Sequence, residues 1–447
     1  MENKKNKGMT FFLCFLICAF LIFGPFYFLQ YKLKSNSIQK EENFKGVIEF
    51  WDYPHLDCEN GTRFGWILEK IRVFEKQNPG VYIDFKPIYP LNGPIEIETS
   101  IKTNSSPDIA PIGSDQNVIH KKVLEPLDQY LSHEEWDDYK EESLKAVTAK
   151  GRKWGIPWMI DIYKMYINVD LFHEKNIEIP KNGEWTYKEF VDHVKQLTYD
   201  QDGDKKIDTY GFYSFVGENH PLWGILLSDG ATIFEKDQSY GFDDEKAISG
   251  LKKLVDLKYM YKVTPDDFGE NSEKDAWDLF CKGKVAVYPA ETSKTSSLKK
   301  LKNEGGFEFE VVGFPIGEEK ESLSICTPID AYGIFKQEDP KKLEMCVKFL
   351  KFITKDDYQR QLYRLGVFPA KKSIGEIYKN DPYLSTIENE LEDIKMIHTH
   401  PKWRSIEEIL QSQIRQALLG KKSSQETIKD SKEKIKDYME SIRKIND

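Results

Sequence analysis

Carboxylates placed beside flat aromatic rings can accept hydroxyl hydrogen bonds while a ring covers the apolar face of the same small molecule. The stretch KWGIPWMIDIYKMYINVDLF, residues 153 to 172, has both kinds of group inside what otherwise reads as a buried strand. Asp161 stands between Ile160 and Ile162, and an ionised carboxylate in such a run is costly unless it is paired or lines a cavity. Lining a cavity, it would take short charge-assisted bonds from ligand hydroxyls or meet a cation; the alternative is a bond to local backbone or a lysine. Trp158, just past Pro157, offers a stacking face, with a place in the core as its alternative.

The remaining candidates sit at expected strand ends, where loops carry function. Asp115 closes PDIAPIGSD, although Ser114 and Asp115 would serve equally as a cap for a following helix. Asp52, Tyr53 and His55 follow the first expected strand, with Trp51 packed beneath them. Glu291 and Thr292 come directly after KVAVYPA, and Glu218, His220 and Trp223 mix polar and aromatic character in GENHPLWG. Asp330 and Trp403 complete the set.

Asp200, Asp202, Asp204 and Asp208 in DQDGDKKID alternate like positions 1, 3, 5 and 9 of a calcium loop. Lys205 replaces the position-6 glycine and Gly211 the position-12 glutamate, so an Asp-Gly turn explains the same residues. No cofactor is expected, and weak calcium at this loop is the one metal the sequence allows for. Phosphate-loop, nucleophile-elbow, zinc-protease and kinase motifs are absent, and the eight histidines are scattered.

The elements that must position these groups alternate. GVIEFW reads as a strand, FGWILEKIRVFEKQN as an amphipathic helix stopped at Pro79-Gly80, VYIDFKPIY as a strand and PDIAPIG as another. WTYKEFVDHVKQLT, DDEKAISGLKKLVDLKYM and AWDLFCKGK have helical spacing, with Asp243 and Asp244 where a cap is wanted. KVAVYPA, FEFEVVGFPIG and AYGIF return to strand character, and the chain after Asp339 is mostly helical, with Gly420 placed to end WRSIEEILQSQIRQALL. Such alternation belongs to an α/β sheet protein whose ligand crevice lies beyond the strands' carboxyl ends.

At 447 residues the chain exceeds one ordinary core, and a formal net charge of −10 excludes a nucleic-acid surface. Met9 to Leu29 is uncharged and follows three lysines, the pattern of an N-terminal transmembrane helix with the bulk outside the cell membrane; residues 31–45 then form a stalk. A cleaved signal peptide is the alternative. Beyond that segment Cys58, Cys281, Cys326 and Cys346 lack metal-site spacing and read as buried free thiols, with a disulfide between two of them in an oxidising compartment as the alternative.

The order of motifs resembles the extracellular solute-binding proteins of ABC importers, specifically the sugar-binding group that includes maltose-binding protein. The resemblance spans Gly46 to the C-terminus through VIEFW, FEKQNPGVYIDF, PDIAPIGSD, LEPLDQYL, the 153–172 stretch, WTYKEFVDHVKQLT, DGDKKIDTYGF, FCKGKVAVYPAE and YRLGVFPAKKS. It implies a two-lobed, periplasmic-binding-protein-like α/β fold with a hinge and an interlobe cleft. Lobe one would comprise 46–158 with a return at 327–367, and lobe two 159–326 with most of the helical 368–447. By motif position Asp115 resembles a first-lobe carboxylate that bonds sugar hydroxyls and Asp161 a hinge-side one, while Trp223 falls where relatives supply second-lobe aromatic platforms. Glu291 with Thr292 stands where relatives place a stacking aromatic, a departure from the maltose-binding pattern. The implied protein is not an enzyme: a monomer captures a small-molecule sugar and delivers it to ABC permease subunits in the membrane. A membrane-anchored sensor or a carbohydrate-cleaving enzyme is the alternative.

Overall fold

The computed structural model describes residues 23–25, 27, 44–90, 92–113, 116–217, 221–318, 323–326, 329–391, 394–396 and 400–446. The expected membrane segment and stalk therefore lie almost wholly outside the described residues. Among the described residues no helix is long and apolar enough to cross a membrane. Residues 1–46 and 47–447 form separate units, and the following concerns the second, with the strand that opens it.

Two sheets organise this unit. The first contains β1 (Gly46–Asp52), β2 (Val81–Pro87), β3 (Ile109–Pro111) and, after a small hairpin of β4 (Thr148–Ala149) and β5 (Arg152–Lys153), β6 (Ile156–Ile160). The second is built on β7 (Ile162–Asn168), β8 (Tyr210–Phe212), β9 (Val285–Glu291), β10 (Phe309–Val312) and β11 (Ile325–Cys326). The chain then returns to the first sheet through β12 (Asp330–Ile334) and β13 (Phe368–Pro369) before β14 (Lys395–Met396) joins the second. Strand order is β13-β6-β12-β3-β1-β2 in one and β14-β11-β7-β9-β8 in the other, with β10 also paired to β7.

Position in each sheet explains the residue pattern. β6 and β7 are buried along their whole length, so both read as unbroken apolar runs, whereas the edge strand β2 alternates buried and exposed residues. The one cation within β7, Lys164, is 2% exposed and is tolerated because Glu390 and the Ser324 hydroxyl receive its protons. The helices begin and end as their sequences direct: Asp244 accepts the Ala247 amide at 2.9 Å to cap Glu245–Tyr259, and Gly420 at φ +68° closes the turn after Trp403–Leu418.

Each sheet has its own core, and a third small cluster occupies the junction between them. Ile160, Ile162, Cys326, Ile329 and Phe368 pack there against Tyr378, Leu384, Ile387 and Leu391. These are the residues flanking the passages from β6 to β7, from β11 to β12 and out of β13, so apolar burial holds the crossings side by side. Cys326 and Cys346 are buried as expected. Cys58 corrects the expectation of burial: it is an exposed free thiol, because it sits in the loop after β1, held by its backbone amide to the Arg364 carbonyl at 2.8 Å.

Helix Glu245–Tyr259 approaches helix Trp223–Leu226 so closely that a Cβ on Gly250 would lie 1.9 Å from the Leu226 carbonyl oxygen. Since backbone cannot move aside as a side chain can, Gly250→Ala is expected to lower stability by about 1–3 kcal/mol. Urea unfolding followed by circular dichroism checks this, and an unchanged midpoint contradicts the packing described.

Candidate binding site

The site begins where the chain leaves the first sheet. Asp161 is the single residue between β6 and β7 and is 9% exposed. Its carboxylate accepts the Thr292 hydroxyl at 2.6 Å and the Ser293 amide at 3.3 Å, both just past the end of β9. The Cys326 thiol, at the end of β11, donates to the Asp161 carbonyl at 3.4 Å, so one residue joins three strand ends. Burial raises the Asp161 carboxyl above the usual range, against the pull of the bonds from Thr292 and Ser293.

Glu291 and Asp330 come to the same place. The β7–β9 register sets Glu291 opposite Tyr163, whose hydroxyl donates to Oε1 at 3.4 Å. Burial pushes the Glu291 carboxyl up to about 7; Lys294 opposes this, and the charges of Asp161 and Glu273 add to it. Asp330 opens β12 opposite Met159, and burial followed by the Asp161 charge raises it to about 7 as well. The Tyr163 phenol, raised first by burial, also feels Glu291, Glu273, Asp161 and Glu407. Among the candidates from sequence, Glu291 and Asp330 thus stand at strand ends near enough to Asp161 to feel its charge, and Thr292 is bonded to Asp161.

The other candidates are placed differently. Asp52 is 1% exposed; its carboxylate takes the Tyr332 hydroxyl and the Tyr53 amide, each at 2.9 Å, and burial raises it well above the usual range. It is an interior hydrogen-bond acceptor, and Tyr53 packs over Gly93, where an added Cβ would lie 2.6 Å from the ring. Trp158 has no free face in this conformation: it is stacked between Trp66 at 5.4 Å and Tyr332 at 5.6 Å, with the His55 ring edge-on at 5.1 Å. Burial keeps His55 neutral down to about 4. Trp223 and Trp403 pack on one another at 5.9 Å in the second core, so these rings act as core aromatics rather than as exposed platforms. Asp115, Glu218 and His220 lie outside the described residues.

In the calcium-like loop, carboxylate oxygens of Asp200, Asp202 and Asp208 lie within 4.8 Å of one another, and Asp204 is not part of that group. Asp200 receives the Gly203 and Lys205 amides at 2.7 Å each, and Asp208 receives the Gln201 amide at 2.7 Å. These bonds are those of a self-capped Asp-Gly turn, so the turn has a full physical explanation without an ion.

Several residues beside the acids escaped the sequence reading. Tyr163 lies two residues after Asp161, on the same strand face, and that period of two was the available signal. On helix Trp403–Leu418, Glu407 and Gln411 are buried one turn apart, polar residues interrupting an apolar stripe. Gln411 is also among the residues, with Gly269, Glu270, Glu408, Ser412 and Arg415, that line an open surface pocket of about 630 Å3, although its Nε2 is buried away from that space. The first-sheet lobe approaches this helix too, since Glu98 lies 4.0 Å from Arg404. At the junction Gly366, φ +74°, leaves so little room that a Cβ would come within 3.0 Å of the Ser293 Cα.

The raised carboxyls link stability to pH. Unfolded, both acids titrate at about 4; folded, Glu291 and Asp330 do so at about 7. Between these values the folded chain holds protons the unfolded chain has lost, so stability falls as pH rises from about 4 to about 7 and then levels off. Glu291→Gln and Asp330→Asn are each expected to flatten that fall and, allowing for coupling and screening, to add about 1–2 kcal/mol at about pH 8. Urea unfolding across this range checks it; a slope identical to the parent's contradicts it.

Comparison with known proteins agrees with this architecture. Residues 71–386 match the family model described as bacterial extracellular solute-binding protein. An ABC substrate-binding protein from Listeria monocytogenes, solved in complex with cycloalternan, superposes with a TM-score of 0.75 at 19% identity, covering 89% of this chain and 99% of that one. Maltose-bound MalE3 of T. maritima gives 0.74 at 17% identity, with 87% and 99% covered. The maltose/maltodextrin-binding domain MalE from Bdellovibrio bacteriovorus, bound to maltotriose, gives 0.74 at 18% identity, with 90% and 100% covered. Identities this low establish the shared two-lobed fold, while the family match spans most of the sequence. The chain belongs to the bacterial extracellular solute-binding proteins.

Proposed function

We propose that this protein is the carbohydrate-capturing component of an ABC importer, held at the outer face of the cell membrane by its N-terminal apolar segment and handing its ligand to permease subunits as a monomer. The observation that carries this reading is the convergence of Asp161, Glu291 and Asp330 at the junction of the two sheets. Carboxylates there accept hydrogen bonds from vicinal hydroxyls, and bonds to a charged acceptor are the stronger kind. That the Listeria and Bdellovibrio proteins hold oligosaccharides in the same fold supports it.

Capture follows from where the acids sit. Asp161 belongs to the junction, Glu291 to the second lobe and Asp330 to the returning strand of the first, so a ligand bonded to all three prefers the arrangement in which the lobes are together. Binding then shifts the population toward a closed form, and the permease reads that form. The chain needs no nucleophile or acid catalyst for this cycle.

A thermal-shift screen of the full-length chain against mono- and oligosaccharides tests the reading. A true ligand at about one hundred times its dissociation constant adds about 2.7 kcal/mol. Asp161→Asn, which keeps the shape and removes the charge, is expected to weaken that ligand about 10- to 100-fold, the value of one charged hydrogen bond. A panel with no shift contradicts the reading, as does an unchanged affinity in a folded Asp161→Asn variant.

A further inference from the structure

The rings expected to stack on a ligand, Trp158, Trp223 and Trp403, are enclosed by packing, so a sugar face needs another partner. Among the described residues after 46 the exposed large aromatics are Tyr82, Tyr89, Tyr259 and Tyr363. The hydroxyls of Tyr259 and Tyr363 are bonded to the Leu418 carbonyl at 2.9 Å and to Glu59 at 2.7 Å, and Tyr82 belongs to the opening of β2, at the opposite end of the sheet from Asp161 and Asp330. Of these four, Tyr89 is the one at the acid end.

Strand directions put it there. β1 and β3 run parallel, β12 runs against β3 and β6 runs against β12, so the ends of β1, β3 and β6 and the start of β12 share one edge. The Ile88 amide, donated to the Asp52 carbonyl at 2.9 Å, brings the end of β2 to the same edge. Asp161 and Asp330 stand at one side of it and Tyr89 at the other. The strand order sets β2 four spacings of about 4.8 Å from β6, a separation of about 19 Å.

The Tyr89 ring is held as a platform. It follows Ile88, which is fully buried, and precedes Pro90, which disfavours helical backbone at Tyr89. Its carbonyl accepts the Gly93 and Asn92 amides at 2.6 and 3.0 Å, and its ring meets that of Phe64 edge to face at 6.5 Å. Even so the residue is 46% exposed. A ring already fixed in place loses little conformational entropy when a ligand covers it. Beside it Asn92, exposed at the cap position of helix Gly93–Lys102, makes no capping bond, so its side-chain amide is available to a hydroxyl.

We propose that Tyr89 and Asn92 form a distal sugar-ring subsite, and that the ligand is an oligosaccharide extended along the sheet edge from Asp161 and Asp330 to the end of β2. This rests on the carbohydrate reading given above and adds a length requirement to it, since a single sugar ring cannot reach both sides of a span of about 19 Å.

Calorimetry on the full-length chain decides it, with glucose, mannose, maltotetraose, cellotetraose and mannotetraose as probes. At least one tetrasaccharide is expected to bind at least about tenfold more tightly than its own monosaccharide. Tyr89→Ala should narrow that ratio about tenfold and Asn92→Ala about threefold, whereas Tyr89→Phe, which keeps the ring, should preserve most of it. Circular dichroism confirms that each variant folds. Monosaccharides that bind as tightly as their tetrasaccharides overturn the inference and leave the carbohydrate reading intact, as does an unchanged ratio in a folded Tyr89→Ala variant. If none of the five probes binds, the inference falls, and with a flat sugar panel the carbohydrate reading falls as well.

Discussion

The bond from the Thr292 hydroxyl to the Asp161 carboxylate, 2.6 Å long, is the constraint around which this molecule is arranged. Asp161 is the one residue between β6, in the first sheet, and β7, in the second. By accepting from Thr292 and Ser293 it fixes the end of β9 against that passage, and through its carbonyl it meets Cys326 at the return passage. A hydrophobic junction alone would hold the strands together without specifying their register. The polar bonds specify it, and in doing so they place Glu291, the last residue of β9, beside the hinge.

This arrangement stores electrostatic cost at the candidate site. Acids at β-strand ends that were fully solvated would titrate in the ordinary range; here burial, with the charge of Asp161 added, pushes Glu291 and Asp330 to about 7. Two buried charges elsewhere have opposite partners. Asp57, with no exposure at all, is met by Arg364, and buried Lys164 by Glu390. Those buried charges meet opposite partners, whereas at the junction burial raises three carboxyls, Asp161, Glu291 and Asp330, a perturbation of the kind expected at functional sites.

Much of the fold was legible because it depends on periodicity. The 3.6-residue spacing in FGWILEKIRVFEKQN and WRSIEEILQSQIRQALL, the cap at Asp244 and the stop at Gly420 all report local physics, and the α/β class followed from the order of the elements, while the two lobes were what the family resemblance implied. Asp161 stood out since a carboxylate in an apolar run has few inexpensive explanations. The aromatic rings were the hard part: Trp158, Trp223 and Trp403 look alike in sequence whether they face a ligand or a core, and only packing distinguishes them. Trp158 is enclosed because Trp66 and Tyr332, from a distant helix and a distant strand, close over both its faces. Glu407 and Gln411 were overlooked for the converse reason, as polar residues in an amphipathic helix that ordinary reasoning assigns to its wet side. Tyr163 had a local signal in its spacing of two from Asp161, but its partner did not, since its register with Glu291 is a pairing across more than a hundred residues that no local window contains.

The central claim is that the two lobes move toward each other about the Asp161 junction when the site is filled. Spin labels at Ile95 of the first lobe and Met260 of the second, both exposed, provide the direct measurement once Cys58 has been replaced by serine. With the sugar that gives the largest thermal shift at saturation, the inter-label distance distribution is expected to become shorter and narrower than without it. A distribution that is the same with and without saturating ligand would contradict the account.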